Sequence, residues 1–355
     1  MKKRFGVGSM GIVVLAACLF ANLAAQAGDA KTITIGLLLP CTKCADRFEQ
    51  KDRPFFIDSV AKIGPSIKVI ATNAEGDTAR QLAQGEAALA QGADVLVVIP
   101  FEVSSAAPIV EMAHRQHVPV IAYDGMINGA LPDAYVSFDN RKVGELQAQY
   151  AVDHIAAGGS VALINGDQNC AQCRAFKRGA HAVLDPQVAA GKIKLVYEAD
   201  TKDWLASNAQ REVEQALTAT DDRIDAIVAA NDTLAQGVIA ALKARKLNGK
   251  VVVTGQDASN AAIEHILLGD QTMTVYKDLR AQATAAAKGA VALAKGEDIA
   301  SLFPTLVAND KGKIPSLLLT PIIVDRSNIA ETVIKDGYTR KQDVCKGPIA
   351  DKCNF

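Results

Sequence analysis

The sequence predicts an α/β protein made of two doubly wound lobes that face each other across a cleft. Three observations lead there. Strand-like and helix-like segments alternate through almost the whole chain. The strands are unbroken Val/Ile/Leu runs, the pattern of strands buried on both faces by crossover helices and so of a parallel sheet. The alternation also runs once and then restarts at Tyr135 with no low-complexity linker, which calls for two such units.

In order, Thr32 to Leu39 reads as an apolar strand. Lys51 to Ile63 reads as a helix with Phe55, Phe56 and Val60 on one side. Strands come next at Ile67 to Thr72, Asp94 to Ile99 and Val118 to Tyr123. They are separated by helices at Thr78 to Gln91, stopped by Gly92, and Ser104 to Gln116. In the second unit, strands are expected at Tyr135 to Phe138, Ser160 to Asn165, Ile193 to Tyr197 and Ala226 to Ala230. A strand ending at Gly255 and one at Gln271 to Tyr276 complete it. The helices between are Asn140 to Ile155, Arg174 to Leu184, Trp204 to Ala219, one after Asp232, and Ala258 to Leu268. The helix after Asp232 carries Leu234, Val238 and Leu242 at i, i+4, i+8, with Asn231 or Asp232 a competent N-cap. An Ala-rich helix (Arg280 to Lys295), a last strand (Leu317 to Val324) and a polar tail end the chain.

Composition sets the class and the compartment. The chain has 355 residues, about half apolar and under a quarter charged, as for a soluble globular protein of two domains. A net charge of −1 gives no basic field for nucleic acid. Lys2, Lys3 and Arg4 precede an apolar run from Gly11 to Phe20 and an Ala25-Gln26-Ala27 cleavage site, so residues 1–27 read as a signal peptide cleaved after Ala27. Leu15-Ala16-Ala17-Cys18 fits a lipid-attachment box and leaves a lipoprotein anchored at Cys18 as the alternative. Cleavage after Ala27 removes one of seven cysteines. Cys41, Cys44, Cys170, Cys173, Cys345 and Cys353 remain, an even number that favours disulfides outside the cytoplasm. Two C-x-x-C pairs come after the first strand of each unit. Local disulfides are the preferred reading, with a four-thiolate metal site or a redox dithiol kept open. Cys345 with Cys353 should staple the tail.

Strand ends that meet helix starts are where open parallel sheets hold small ligands. Those loops carry Asp124, Trp204, Asn231, Asp257 and Lys277, among other Asp, Asn, Gln, Lys and Arg residues. Carboxylates accept from hydroxyls, amides both give and accept, and an indole face covers C–H groups, a mix suited to a neutral polyhydroxylated ligand. Helix capping alone is the plain alternative for Asn231, Asp232 and Asp257. The five histidines fall in helix patterns without convergent acids, and no Ser-His-Asp order, HExxH, P-loop or GxGxxG occurs. Neither an enzyme nor a cofactor is indicated, and no residue is assigned to a metal.

The segments ADVLVVIP, PVIAYDGMI, YVSFDNRKVGELQA, DRIDAIVAANDTLAQGVIAALKA, GKVVVTGQDAS, QTMTVYK and ETVIKDGY resemble the periplasmic sugar-binding proteins of ABC importers, in particular the D-xylose-binding branch. The resemblance covers nearly the whole mature chain. It implies the type I periplasmic binding protein fold, two Rossmann-like lobes joined by three crossover strands that close on the ligand. It divides the chain into 28–124 plus 278–312 and 125–277 plus 313–355. It makes Asp124, Asn231, Asp257 and Lys277 ligand contacts and Trp204 a stacking residue. It also implies docking to an inner-membrane ABC permease, with a chemoreceptor left open as a second partner and a monomer expected.

Three departures are visible. The family's Arg-Trp pair in the first loop has only Arg47 and Phe48 as stand-ins in CTKCADRFEQ. The arginine of its AYDR motif is Gly125. Its Asn-rich second-lobe loop is QNCAQCRAF, leaving Gln172 and Arg174. The expectation is therefore a receptor for a monosaccharide or related polyol with a pocket altered from the xylose type. The rival keeps the fold and places a metal, a metal chelate or another non-sugar solute at the Cys41/Cys44 and Cys170/Cys173 loops.

Overall fold

The computed structural model describes residues 32–42, 47–168 and 171–355, with Met1 and Gly6. Apart from Met1 and Gly6, the expected signal peptide, including Cys18 and Ala27, lies outside the described residues, as do Cys44 and Cys170.

The first half of the chain lays down β1 (Thr34–Leu39), α1 (Arg53–Ile63), β2 (Lys68–Asn73), α2 (Thr78–Ala90), β3 (Val95–Val98), α3 (Ala107–Arg115), β4 (Val120–Tyr123) and β5 (Ala134–Phe138). The second adds α4 (Asn140–Asp153), β6 (Gly159–Asn165), α5 (Ala171–Ala189), β7 (Ile193–Asp200), α6 (Ala206–Ala219), β8 (Ala226–Ala229), α7 (Asp232–Ala244), β9 (Val252–Val253), α8 (Asn260–Leu268) and β10 (Met273–Tyr276). The chain then returns through α9 (Leu279–Ala294), β11 (Thr305–Ala308), β12 (Lys313–Leu319), β13 (Ile322–Asp325) and α10 (Lys341–Val344).

The first sheet runs β11-β12-β5-β4-β3-β1-β2, parallel except for the β11–β12 hairpin. The second runs β7-β6-β8-β9 and is all parallel. It is continued by a Gln256–Val275 bridge to the antiparallel pair β10–β13. Each sheet is covered on both faces, which is why its strands read as continuous apolar runs. On the first, α1 and α9 pack one face through Phe56, Val60, Ala283 and Ala287, and α2 and α3 the other through Ala88, Leu89 and Ile109. On the second, α4 and α5 oppose α6 and α7, with Ala148 and Leu184 on one side and Val213 and Val238 on the other.

The first sheet extends past residues 124 and 312 to take in β5 and β12. A parallel strand joins whichever sheet its crossover delivers it to, and periodicity does not reveal that. The single strand expected at Leu317 to Val324 is two strands in two different sheets. Pro321 between them has no N–H for a ladder, so the chain can leave one sheet there and enter the next. Among the described residues that passage is one of three, the others lying between Phe138 and Asn140 and between Tyr276 and Leu279. Periodicity also missed β11, an exposed edge strand of 4 residues. The tail is a chain of helical turns stapled by Cys345–Cys353, with Cα atoms 6.0 Å apart.

Candidate functional site

Polar groups converge where the strands of the two sheets end. In the first lobe, β4 ends at Tyr123, and Asp124 then turns back with φ 60°, a left-handed conformation that costs a branched or bulky residue about 1–3 kcal/mol. The turn is fixed from three sides. The Asp124 N–H donates to the Val136 carbonyl at 2.8 Å, and its carbonyl accepts from the hydroxyls of Ser137 at 2.8 Å and Tyr135 at 3.1 Å. Its carboxylate accepts from Arg47 Nη1 at 3.0 Å.

Arg47 is held in a fork. Nε and Nη2 donate to the two oxygens of Asp52 at 2.9 and 3.0 Å, and Nη2 also donates to Gln282 Oε1 at 3.0 Å. The Tyr123 hydroxyl closes the cluster on Asp52 Oδ1 at 2.6 Å. Burial works against the Arg47 charge, but Asp124 and Asp52 reverse it and hold its pKa well above the usual arginine value. Burial also pushes Asp124 up, and the charges of Arg47 and Lys277 with a Gln282 hydrogen bond bring it below the ordinary carboxylate range. Asp52, only 2% exposed, is raised by burial despite its Arg47 partner.

Lys277, at the end of β10, stands between the lobes. Its Nζ lies 5.2 Å from the Phe176 ring centre and 5.9 Å from that of Phe138, within cation–π range. Burial lowers its pKa, opposed by Asp257 and Asp124, so it is the electrostatic link between the two strand-end acids.

In the second lobe, Asn231 caps α7, its Oδ1 accepting from the Leu234 N–H at 2.9 Å. Its amide nitrogen has no hydrogen-bond partner among the described residues, so the capping and binding readings are compatible. Asp257 (φ 100°) and Ala258 (φ 48°) are both left-handed. The Asp257 carbonyl accepts from the Tyr338 hydroxyl at 2.9 Å, while its carboxylate makes no hydrogen bond or ion pair among the described residues. Trp204 comes after Asp203, with φ values of 56° and 57° respectively. Its indole lies so close over Gly166 that a Cβ there would come within 1.9 Å of the ring.

Arg47, Lys51, Asn231, Asp257, Asn260 and Tyr338 line a cleft of about 470 Å³, and Trp204 is not among its lining residues. Asp124 and Lys277 reach it through Arg47 and Asp257. Phe48 does not line it: the ring is buried in the core of the first lobe with Phe55 and Phe56. Arg174 is exposed, donates to the Gln168 carbonyl at 2.7 Å, and lies in a separate groove on α5, where Lys177 pairs with Glu198 at 2.9 Å. Gln172 is half-buried near the start of the same helix.

Sequence reasoning missed Lys51, Asp52, Gln282, Tyr338 and the site role of Asp232. Asp52 and Gln282 are buried polar residues inside helical patterns, visible only once Arg47 is known to face them. Cys41 and Cys173 are both disulfide-bonded, so neither offers a thiolate to a metal. Among the described residues no group of three or more His, Cys, Asp or Glu converges as a metal site.

The geometry agrees with what the chain is similar to. Residues 35–298 match the periplasmic binding protein domain family. The D-xylose-binding periplasmic protein of Escherichia coli (strain K12) is 41% identical over 332 residues, 94% of this chain and 98% of that protein. Its Haemophilus influenzae counterpart is 43% identical over 83% of this chain and 87% of its own length. Among solved structures, the carbohydrate transporter solute-binding protein of Chloroflexus aurantiacus in complex with D-glucose superposes with a TM-score of 0.77 at 29% identity, covering 88% of this chain and 98% of that one. The chain belongs to the periplasmic binding protein family, as a type I binding protein and not an enzyme.

Proposed function

We propose that the protein is a periplasmic receptor that binds a monosaccharide or a related small polyol by lobe closure and delivers it to an ABC importer of the inner membrane. The observation that carries this reading is the Asp257 carboxylate: it borders the cleft, makes no hydrogen bond or ion pair among the described residues, and faces a surface of amides and cations. Such a carboxylate can accept two sugar hydroxyls. Relatives named for D-xylose, and a structural neighbour holding D-glucose, support the same ligand class. Export with cleavage after Ala27 is part of the proposal.

We read the pocket as altered from the xylose type. A guanidinium has five N–H donors. Arg47 makes four hydrogen bonds within the protein, which leaves a single Nη1 donor for a ligand. At Gly125 no second arginine is present to make up the difference. Its backbone lies against Pro100, where an added Cβ would meet Cγ at 3.0 Å.

A thermal-shift panel of D-xylose, D-glucose, D-allose, myo-inositol and xylitol tests the function, because a ligand bound only by the folded state raises the midpoint by RT ln(1 + [L]/Kd). At least one sugar or polyol is expected to raise it by several degrees. A flat response to all of them overturns the proposal.

A further inference from the structure

We infer that Asp232 is a positioning residue for the ligand site, holding the Gln256–Ser259 loop in the conformation that aims Asp257 into the cleft. The inference rests on the reading of Asp257 as a ligand contact.

Asp232 opens α7 but does not cap it, since Asn231 already does so. Its carboxylate instead reaches the loop and strand beside it. Oδ2 accepts from the Ser259 N–H at 2.8 Å. Oδ1 accepts from Thr274 Oγ1 at 2.8 Å and from Gln271 Nε2 at 3.1 Å. The Asp232 N–H donates to the Gln256 carbonyl at 3.0 Å.

The loop is thus gripped on both sides of Asp257. The remaining donors inside it are met by β10: Asp257 N–H by the Val275 carbonyl at 2.9 Å, and Ala258 N–H by Thr274 Oγ1 at 3.2 Å, the hydroxyl that Asp232 orients. Two consecutive left-handed non-glycine residues do not persist unless their surroundings over-determine them. The Asp232 bonds supply that constraint.

Gly255 fits the same scheme. A Cβ there would lie 2.2 Å from Asp232 Oδ1 and 2.4 Å from Gln271 Nε2, so a larger residue cannot coexist with the network. Asp232 is 3% exposed. The titratable groups facing it are Asp257 in the loop, Tyr338 from the tail, and Arg47 and Lys51 across the cleft. Burial, with the Asp257 charge second, pushes the Asp232 pKa up to about 7. Protonation turns the charge-assisted bond from Ser259 into a weaker neutral one and so loosens the loop.

The test is a double-mutant cycle read by calorimetry, using whichever of D-xylose, D-glucose, D-allose or myo-inositol binds wild type most tightly. Asp232→Asn and Thr274→Val should each weaken binding, the former by about tenfold, as expected for a lost hydrogen bond to a charged group. In an Asp257→Asn background neither change should weaken binding further. Wild-type affinity should fall severalfold from pH 8 to pH 6, and that slope should vanish in Asp232→Asn. Retention of affinity within twofold, or fully additive effects, overturns the inference. If neither these four probes nor xylitol binds, the proposed function fails separately, and NMR still decides the positioning. The amide protons of Asp257 and Ser259 should shift in Asp232→Asn, and the Ser259 amide of wild type should titrate near pH 7. Unmoved amides overturn it.

Discussion

Lys51 donates to the Tyr338 carbonyl at 2.6 Å, with its ammonium 4.9 Å from the centre of the same ring. Lys51 belongs to the π-helical turn that enters α1, whereas Tyr338 lies in the stapled tail and packs against the cores of both lobes. The Tyr338 hydroxyl in turn reaches the Asp257 carbonyl, so one aromatic residue connects the first lobe to the site of the second. Removing the tie with Lys51→Met should leave the fold intact and raise the ligand dissociation rate by about three- to tenfold, the effect of about one hydrogen bond. Stopped-flow release measures this, and an unchanged rate would mean that Lys51 is only a surface residue.

Gly166 and Trp204 make a second prediction. Trp204 is the only tryptophan in the chain, so intrinsic emission reports on its contact with Gly166. Gly166→Ala must displace the indole, because the new Cβ would lie 1.9 Å from it. The variant should lose about 1–3 kcal/mol of stability by urea titration, as overpacking does, and its unliganded emission should be shifted from that of wild type.

Asp232 sets a pH dependence of stability. Its folded pKa is raised from 3.8 to about 7. A raised folded value means that the stabilising contribution is present below the unfolded pKa and is lost as pH rises through the folded one. Unliganded wild type should therefore lose up to roughly 4 kcal/mol from this group between pH 4 and pH 7.5. Asp232→Asn should not show this loss, so the variant gains on wild type as pH rises. The same ionised carboxylate that holds the loop destabilises the empty protein, a trade-off common at binding sites. Urea titrations at pH 5 and pH 7.5 check the sign.

The tail staple is a smaller matter. Cys345 and Cys353 are eight residues apart in sequence, and Cys353 is buried. A loop of that length constrains the unfolded chain by about 2–3 kcal/mol. Cys345→Ser with Cys353→Ser should lower stability by that amount without changing ligand specificity.

Much of this was legible in the residues. Unbroken Val/Ile/Leu strands required sheets covered on both faces, and strand-end polar residues marked the cleft. Asp257 stands out in the sequence because it comes directly after a buried strand. What periodicity could not show was which sheet a strand joins: β5 and β12 carry the same apolar pattern in either lobe, and only Pro321 hints at the last passage. Nor could it separate Phe48 from Arg47, neighbours in the same loop. One turns into the core and the other toward Asp124, a difference set by tertiary packing. Tyr338 lay beyond the last strand, in a stretch that composition marked only as a polar tail.

The central claim is that a polyol is held in the cleft by Asp257. Isothermal titration of wild type and Asp257→Asn with D-xylose, D-glucose, D-allose and myo-inositol tests it most directly. Wild type should bind at least one of them with a single site per chain. The variant should bind the same ligand at least about tenfold more weakly, since a charged acceptor has been replaced. Equal affinity in the two proteins would contradict the account.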